Sequence, residues 1–270
     1  MRVFVLIKQV PGTSSVKMDE TTGTMIRTEK ENVINPLDEN ALEAALSIRR
    51  QIPGTRIAAL SMGPRPAMGA LREALAMGAD EAVLLSDRSF AGSDTVATAI
   101  ALTAGIRHLA GGELHPDDLV LCGERATDGE TGQVGPMVAA LLEIPVSTYV
   151  RDIRPQGRAI EVERVVENGF ERVQLTLPAV LTVVKDANQP GFPTLAGKLA
   201  AKRAQVMVLG PDELNISRDL LGLDGSPTRV VRVFRPKFSR STVLHHQDNS
   251  GKAADDLIEF LNQRGLDQGR

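Results

Sequence analysis

Short apolar runs alternate with helix-length segments through the first half of the chain, and this alternation constrains the fold more than any other feature. Val3–Ile7 is continuously apolar, as expected of a strand covered on both faces. Arg56–Ser61, Glu81–Leu85 and Asp118–Cys122 repeat the pattern. Between them, Asn35-Pro36-Leu37-Asp38 marks a helix start. Glu39–Arg50 then places Ala41, Leu42, Ala45, Leu46 and Ile48 at helical spacing, with Arg49 and Arg50 at the negative end of the helix dipole. Further helices are expected over Pro66–Met77 with Gly78 as the stop, from a Ser93 or Asp94 cap to Leu109, and over Pro136–Leu142. Strands joined by helices of this length form a parallel sheet with right-handed crossovers.

Beyond Pro145 the pattern changes. Tyr149–Arg154, Ala159–Val166 and Glu171–Leu177 are strand-like runs broken by Pro-Gln-Gly and Glu-Asn-Gly turns, which predicts an antiparallel meander at the sheet edge. Ala179–Val184 reads as a buried strand. From Asp186 the chain carries Pro190, Gly191, Pro193 and Gly197 and is expected to be irregular, with one amphipathic helix near Ala253–Leu261. The expected fold class is α/β: a parallel sheet with helices on both faces, an antiparallel edge hairpin and an extended C-terminal arm. The division expected is residues 1–209 as the α/β domain and 210–270 as the arm.

Composition narrows the function. Lys and Arg number 31 against 34 Asp and Glu, so no broad basic field exists for nucleic acid or anionic membrane. One cysteine excludes a disulfide framework and a protein-only CxxC site, and 3% aromatics give no base-stacking platform. No apolar window approaches the roughly 20 residues of a membrane span. The N-terminal apolar run ends at Lys8 and reads as a strand rather than a signal sequence, so the expected compartment is the reducing cytoplasm.

In an open parallel sheet, ligands gather beyond the carboxyl ends of the strands. Four segments fall there: Lys8–Pro11, Ser61–Pro64, Phe90–Thr95 and Gly123–Gly135. In the last, Gly129, Gly132 and Gly135 recur every third residue before a helix. Such a loop can turn backbone N–H groups toward phosphate, with Thr131 and Gln133 adding side-chain hydrogen bonds; the alternative is a plain connector. The standard catalytic motifs are missing. There is no GxGxxG, GxSxG or HExxH; Gly191 to Gly197-Lys198 is one residue too long for a Walker loop, and Leu199 stands where it would need Ser or Thr. His245-His246 are adjacent and share no face for a metal, and Cys122 ends an apolar strand as a core residue would. These features describe a nucleotide-binding protein without side-chain catalysis.

Val5-Leu6-Ile7-Lys8-Gln9-Val10-Pro11, Asn35–Ala41, Ala74–Asp80 and the Gly123–Pro136 loop together resemble the β subunit of electron transfer flavoprotein, as do Val183-Val184-Lys185, Pro193-Thr194-Leu195 and Ala201-Lys202-Arg203. The resemblance implies an adenine-nucleotide α-hydrolase-like core and a heterodimer with an α subunit that carries most of an FAD site. The β subunit's own nucleotide is either structural AMP or a second FAD, which NADH reduces in electron-bifurcating members. Asp128-Gly129-Glu130-Thr131-Gly132-Gln133-Val134 is similar to the FAD-binding, bifurcating type, since glycine at 129 and 132 leaves room and backbone donors for a pyrophosphate. Glu124-Arg125 departs from the Lys-Gln common in the family.

Carried over by residue, the resemblance implies cofactor contacts from Ile7, Lys8 and Gln9, an adenosine contact from Asn35, and a wall from Ser61, Met62, Gly63 and Pro64. Phe90, Asp94 and Thr95 belong near a second flavin, Cys122 and Gly123 at the strand end, and Asp128, Gly129, Thr131, Gly132, Gln133 and Val134 near the phosphates. It also implies a docking loop, residues 186–203, in which Leu195 anchors in an acyl-CoA dehydrogenase-type flavoenzyme and Lys198, Lys202 and Arg203 attract an acidic surface. Ferredoxin or flavodoxin would be the low-potential acceptor. Against this electron carrier stand a single-FAD shuttle or scaffold holding only AMP, and an ATP-using enzyme on the same fold.

Overall fold

A computed structural model describes residues 1–12, 32–231 and 250–266. His245-His246 lie outside the described residues. The chain divides into two units, Met1–Val231 and Arg232–Arg270.

The first unit is built on a nine-stranded sheet. In chain order its elements are β1 (Arg2–Leu6), β2 (Gln9–Pro11), β3 (Asn32–Ile34), α1 (Pro36–Gln51), β4 (Arg56–Met62), α2 (Met68–Met77), β5 (Glu81–Leu85), α3 (Thr95–Ala110), β6 (Leu119–Gly123), α4 (Val134–Leu142), β7 (Val146–Gln156), β8 (Ala159–Val166), β9 (Gly169–Thr176), β10 (Ala179–Val183), α5 (Leu195–Arg203) and β11 (Met207–Leu209). The order across the sheet is β11-β5-β4-β1-β6-β10-β7-β8-β9, with β2 and β3 forming a separate antiparallel pair. Every pairing from β11 to β7 is parallel, and β7-β8-β9 is the expected antiparallel meander.

The continuous apolar runs are explained by two cores. Val3, Val5 and Ile7 face one cluster with Leu42, Ala45 and Leu71 from α1 and α2. Phe4 and Leu6 face another with Leu102, Ile106 and Val138 from α3 and α4. Alternate residues of each central strand are thus buried on opposite faces, so the strands are apolar apart from isolated positions such as Ser61 and Thr182.

The chain winds from β1 outward through β4 to β5, then returns through α3 to β6 on the other side of β1. The strand order therefore reverses between β1 and β6, and connections leave their carboxyl ends in opposite directions. That divergence opens a crevice.

Two differences from the sequence reading have clear causes. Helix α4 starts at Val134 rather than Pro136, because Gly135 has no side chain: a Cβ there would sit 2.7 Å from Thr182 Cγ2 and 2.8 Å from Cys122 Sγ. The segment expected to be irregular contains α5. Thr194 Oγ1 accepts a hydrogen bond from the Gly197 N–H and caps this helix, and Arg72 donates to the carbonyls of Ala201 and Lys202 at its end. Pro193 and Gly197 mark its entry and its contact with α2, where a Cβ on Gly197 would stand 2.3 Å from Ala76 O.

The second unit contains α6 (Ser250–Gln263), which extends the expected amphipathic helix at both ends. Arg264 stacks over the Phe260 ring at 3.8 Å. Among the described residues no helix is long and apolar enough to cross a membrane, and no group of His, Cys, Asp or Glu is arranged to hold a metal ion.

Candidate functional site: a cleft at the sheet switch point

A cleft of about 1110 Å³ lies at the carboxyl ends of β1, β4, β5 and β6. Its size exceeds the roughly 300–1,000 Å³ of an ordinary ligand pocket. Of the residues expected at the cofactor, Ile7, Lys8, Met62, Gly63, Pro64, Phe90, Asp94, Thr95, Cys122, Gly123, Gly129, Thr131, Gly132, Gln133 and Val134 line it. Segments distant in sequence are thereby brought to one wall.

Four expected residues, Asn35, Asp128, Gln9 and Ser61, do not line the cleft. Asn35 is fully buried; its amide donates to Arg125 O at 2.9 Å and its oxygen accepts the Thr127 N–H at 3.2 Å, pinning the start of the glycine loop. Asp128 pairs with Lys8 Nζ at 2.7 Å and ties the same loop to the end of β1. Gln9 donates from Nε2 to Pro66 O. Ser61 is buried, and its hydroxyl has no hydrogen-bond partner among the described residues.

Sequence reasoning missed Asp38 as a site residue. It is buried at the foot of the cleft, where β1 and β6 part: the ladder between them pairs Val5 with Leu121. Beyond that point Asp38 accepts hydrogen bonds from the Lys8 N–H at 2.8 Å and the Gly123 N–H at 2.9 Å. One carboxylate thus satisfies a backbone donor from each diverging strand. Burial pushes its carboxyl up to about 7, although these bonds, that from Asn35 and the charge of Lys8 oppose the rise. Gly123 is required beside it, since a Cβ would fall 2.6 Å from Asp38 Oδ1. The only sequence signal was the position of Asp38 in the first turn of α1, where an acid is usually read as a dipole partner.

Two helices point their N-termini toward the cleft, and they are electrically different. At α3, Asp94 Oδ1 accepts the N–H groups of Val96 and Ala97, while Oδ2 accepts the N–H and hydroxyl of Thr228. Partial burial pushes the Asp94 carboxyl up, but the bonds from Thr228, Ala97 and Val96 outweigh this and hold it below its ordinary value. At α4, Gln133 makes no side-chain cap. Pro136 has no N–H and the Met137 N–H is bonded to Gln133 O, so the N–H groups of Val134 and Gly135 are the donors left at the start of α4 among the described residues.

The glycine loop before α4 has a backbone only glycine adopts without strain at Gly132, with φ +63°. Gly129 has open space on its Cβ side. Glu124 enters the loop with its carboxyl raised by burial, opposed by Arg125 3.7 Å away and reinforced by Asp186. Cys122 is packed beneath; burial, with Asp38 adding to it, pushes its thiol up and disfavours the thiolate. No nucleophile–base pair lines the cleft among the described residues. The arrangement can bind an elongated anion by its backbone and exclude water from it.

A second surface lies on the other side of α1. Phe192, Leu195 and Leu199 are 97%, 76% and 50% exposed, with the expected Lys198, Lys202 and Arg203 exposed beside them. Leu195 and Leu199 are one helical turn apart on α5 and share a face.

The chain is similar to known proteins over nearly its whole length. The Electron transfer flavoprotein domain matches residues 22–214. Electron transfer flavoprotein subunit beta of Thermoanaerobacterium thermosaccharolyticum is 45% identical over 265 residues, 98% of this chain and 99% of the relative. The caffeyl-CoA reductase-Etf complex subunit CarD of Acetobacterium woodii is 45% identical over 98% of this chain and 100% of its own length. The acryloyl-CoA reductase electron transfer subunit gamma of Anaerotignum propionicum is 38% identical over 98% of this chain and 99% of its own.

Proposed function

The chain belongs to the electron transfer flavoprotein family as a β subunit, and on that footing we propose that its cleft binds an adenine nucleotide, FAD rather than AMP, in a heterodimer with an α subunit. The observation that carries this reading is the cleft's combination of length and charge. It runs from the Met62–Pro64 wall past Ile7 and Lys8 to the uncapped start of α4, with glycines at 129 and 132 where a pyrophosphate would press closest. Its volume of about 1110 Å³ suits a dinucleotide better than a mononucleotide.

In this reading the main chain of Lys8 and Gly123, fixed by Asp38, forms the floor. Thr131, Gln133 and the first N–H groups of α4 hold the phosphates. Thr95, whose hydroxyl donates to Gln133 Oε1 at 3.3 Å, continues that wall of the cleft toward Phe90, and Asp94 keeps α3 in place beside it. A bound flavin supplies hydride acceptance from NADH and one-electron exchange with acceptors of different potential, the chemistry of electron bifurcation. The chain's residues position it and shield it from water.

The names of the caffeyl-CoA and acryloyl-CoA reductase relatives support an acyl-CoA dehydrogenase-type flavoenzyme as the partner. Leu195, with Phe192 and Leu199, is its anchor, and Lys198, Lys202 and Arg203 steer an acidic face toward it. Ferredoxin or flavodoxin takes the low-potential electron. The C-terminal segment, residues 210–270, is the arm that packs on the α subunit.

The deciding experiment is to release and count the nucleotides of the chain co-purified with its α subunit. Two FAD and no AMP per heterodimer is the expected result. One FAD and one AMP overturns the second flavin and leaves a single-flavin shuttle.

A further inference from the structure

The segment between β10 and α5 carries Phe192 and leads into Leu195, yet residues 188–194 have no regular secondary structure. Exposed apolar side chains on such a segment present a defined surface only if something fixes the backbone beneath them. At its C-terminal end that support is α5, packed on α2. At the N-terminal end it is a pair of asparagines.

Asn40 is buried on α1, one half-turn past Asp38. Its Nδ2 donates to Asn188 O at 2.9 Å and to Asn188 Oδ1 at 3.0 Å. Asn188 Nδ2 donates in return to Asn40 O at 3.0 Å. One turn along α1, Glu43 Oε2 accepts the Gly191 N–H at 3.3 Å while its other oxygen binds Arg50. Beside the pair is a hollow of about 510 Å³, lined by Glu39, Asp186 and Gln189 among others. The segment is therefore not packed tightly against α1 there, and its attachment depends on these hydrogen bonds. The Asn188 side chain must both donate and accept, which aspartate and alanine cannot do, while the Asn40 side chain must donate twice and its main-chain carbonyl accepts.

We propose that Asn40 is a positioning residue for partner docking, holding the 188–194 segment on α1 so that Phe192 and Leu195 are presented to the acyl-CoA dehydrogenase-type partner in one geometry. The inference rests on the docking role read for Leu195. It adds that α1 supports both surfaces of the molecule, with Asp38 at the cleft and Asn40 at the docking segment.

The test uses the intact heterodimer, with butyryl-CoA dehydrogenase reduced by butyryl-CoA as the probe partner. Asn40→Ala, Asn188→Ala, the double variant and Leu195→Ala are compared for KM, kcat, nucleotide content and Tm. Each asparagine variant should raise KM for the partner about fivefold, the worth of one net hydrogen bond, with kcat and nucleotide content unchanged. The double variant should be worse than either single one, because Asn40→Ala leaves the bond from Asn188 Nδ2 to Asn40 O and Asn188→Ala leaves that from Asn40 Nδ2 to Asn188 O. Asn188→Ala leaves α1 intact, so it decides the matter if Asn40→Ala lowers folding yield. A raised KM in Leu195→Ala together with an unchanged KM in Asn188→Ala overturns the positioning role alone. An unchanged KM in Leu195→Ala overturns the docking reading and this inference with it.

Discussion

Asp38 and Gly123 are 85 residues apart in sequence, yet the Asp38 carboxylate accepts the Gly123 N–H at 2.9 Å at the point where β1 and β6 separate. The carboxylate's second oxygen takes the Lys8 N–H from the opposite strand. A buried acid is normally costly, and here it is retained because two main-chain donors would otherwise be unsatisfied.

The protonation of Asp38 should be visible in stability. Its folded-state carboxyl is raised to about 7, above the ordinary value of 3.8. The folded state therefore holds this proton more tightly, and the group's contribution to stability is full at low pH and is lost as pH rises through about 7. The stability of wild type relative to Asp38→Asn should fall across that window, by at most about 1.4 kcal/mol per pH unit. Denaturant unfolding of both proteins from pH 5 to 8 measures it; parallel pH profiles would refute the assignment.

Asp38→Asn carries a separate, pH-independent cost. An amide turns N–H groups toward one of the two backbone donors, leaving that donor without an acceptor at about 1–3 kcal/mol. Nucleotide retention by the heterodimer should fall with it, since the floor of the cleft is the main chain that Asp38 holds. Equal retention by Asp38→Asn and wild type in a dialysis series would show that the floor does not depend on this residue.

At Gly132, aspartate should be worse than asparagine. Both tolerate the positive φ better than other residues, but only aspartate adds negative charge where phosphate is expected. Gly132→Asp should therefore lose nucleotide while Gly132→Asn keeps most of it. Matched losses in the two variants would attribute the effect to backbone strain.

Leu195→Ala should leave Tm and nucleotide content unchanged, because the side chain is 76% exposed and supports no core. Electron exchange with the dehydrogenase should weaken by tenfold or more, as expected of a central apolar anchor worth about 2 kcal/mol. Loss of flavin instead would make Leu195 structural.

Asp94→Ala removes the cap of α3 and the clasp on Thr228 together. A cap alone is worth about 1 kcal/mol, so Tm should fall by several degrees. The Asp94 carboxyl is held below its ordinary value, so this contribution is present above the usual carboxylate range and is lost as pH falls through the depressed folded value. The Tm gap between wild type and variant should therefore narrow in acid.

The parallel half of the sheet was legible because strands buried on both faces are apolar nearly throughout, and their carboxyl ends located the cleft. What escaped the sequence reading was of two kinds. Short elements were missed: β2, β3 and β11 have three residues each, too few for a periodic signal, and α5 was hidden by the prolines and glycines before it. Contacts between distant residues were missed as well. Asp38 looked like an ordinary first-turn acid, and Asn40 like a polar residue on an amphipathic helix, until the fold placed Gly123 and Asn188 against them. The glycine loop was legible as part of the cleft wall, whereas the removal of Asn35 and Asp128 from that wall depends on bonds to Arg125, Thr127 and Lys8 that no local pattern encodes.

Asp94 occupies the start of α3, while the start of α4 is bare. The two starts lie side by side, Thr95 Oγ1 standing 3.3 Å from Gln133 Oε1. The carboxylate therefore cancels one of two neighbouring positive dipole ends and leaves the other, so that the same wall of the cleft repels an anion at α3 and attracts it a few ångströms away at α4.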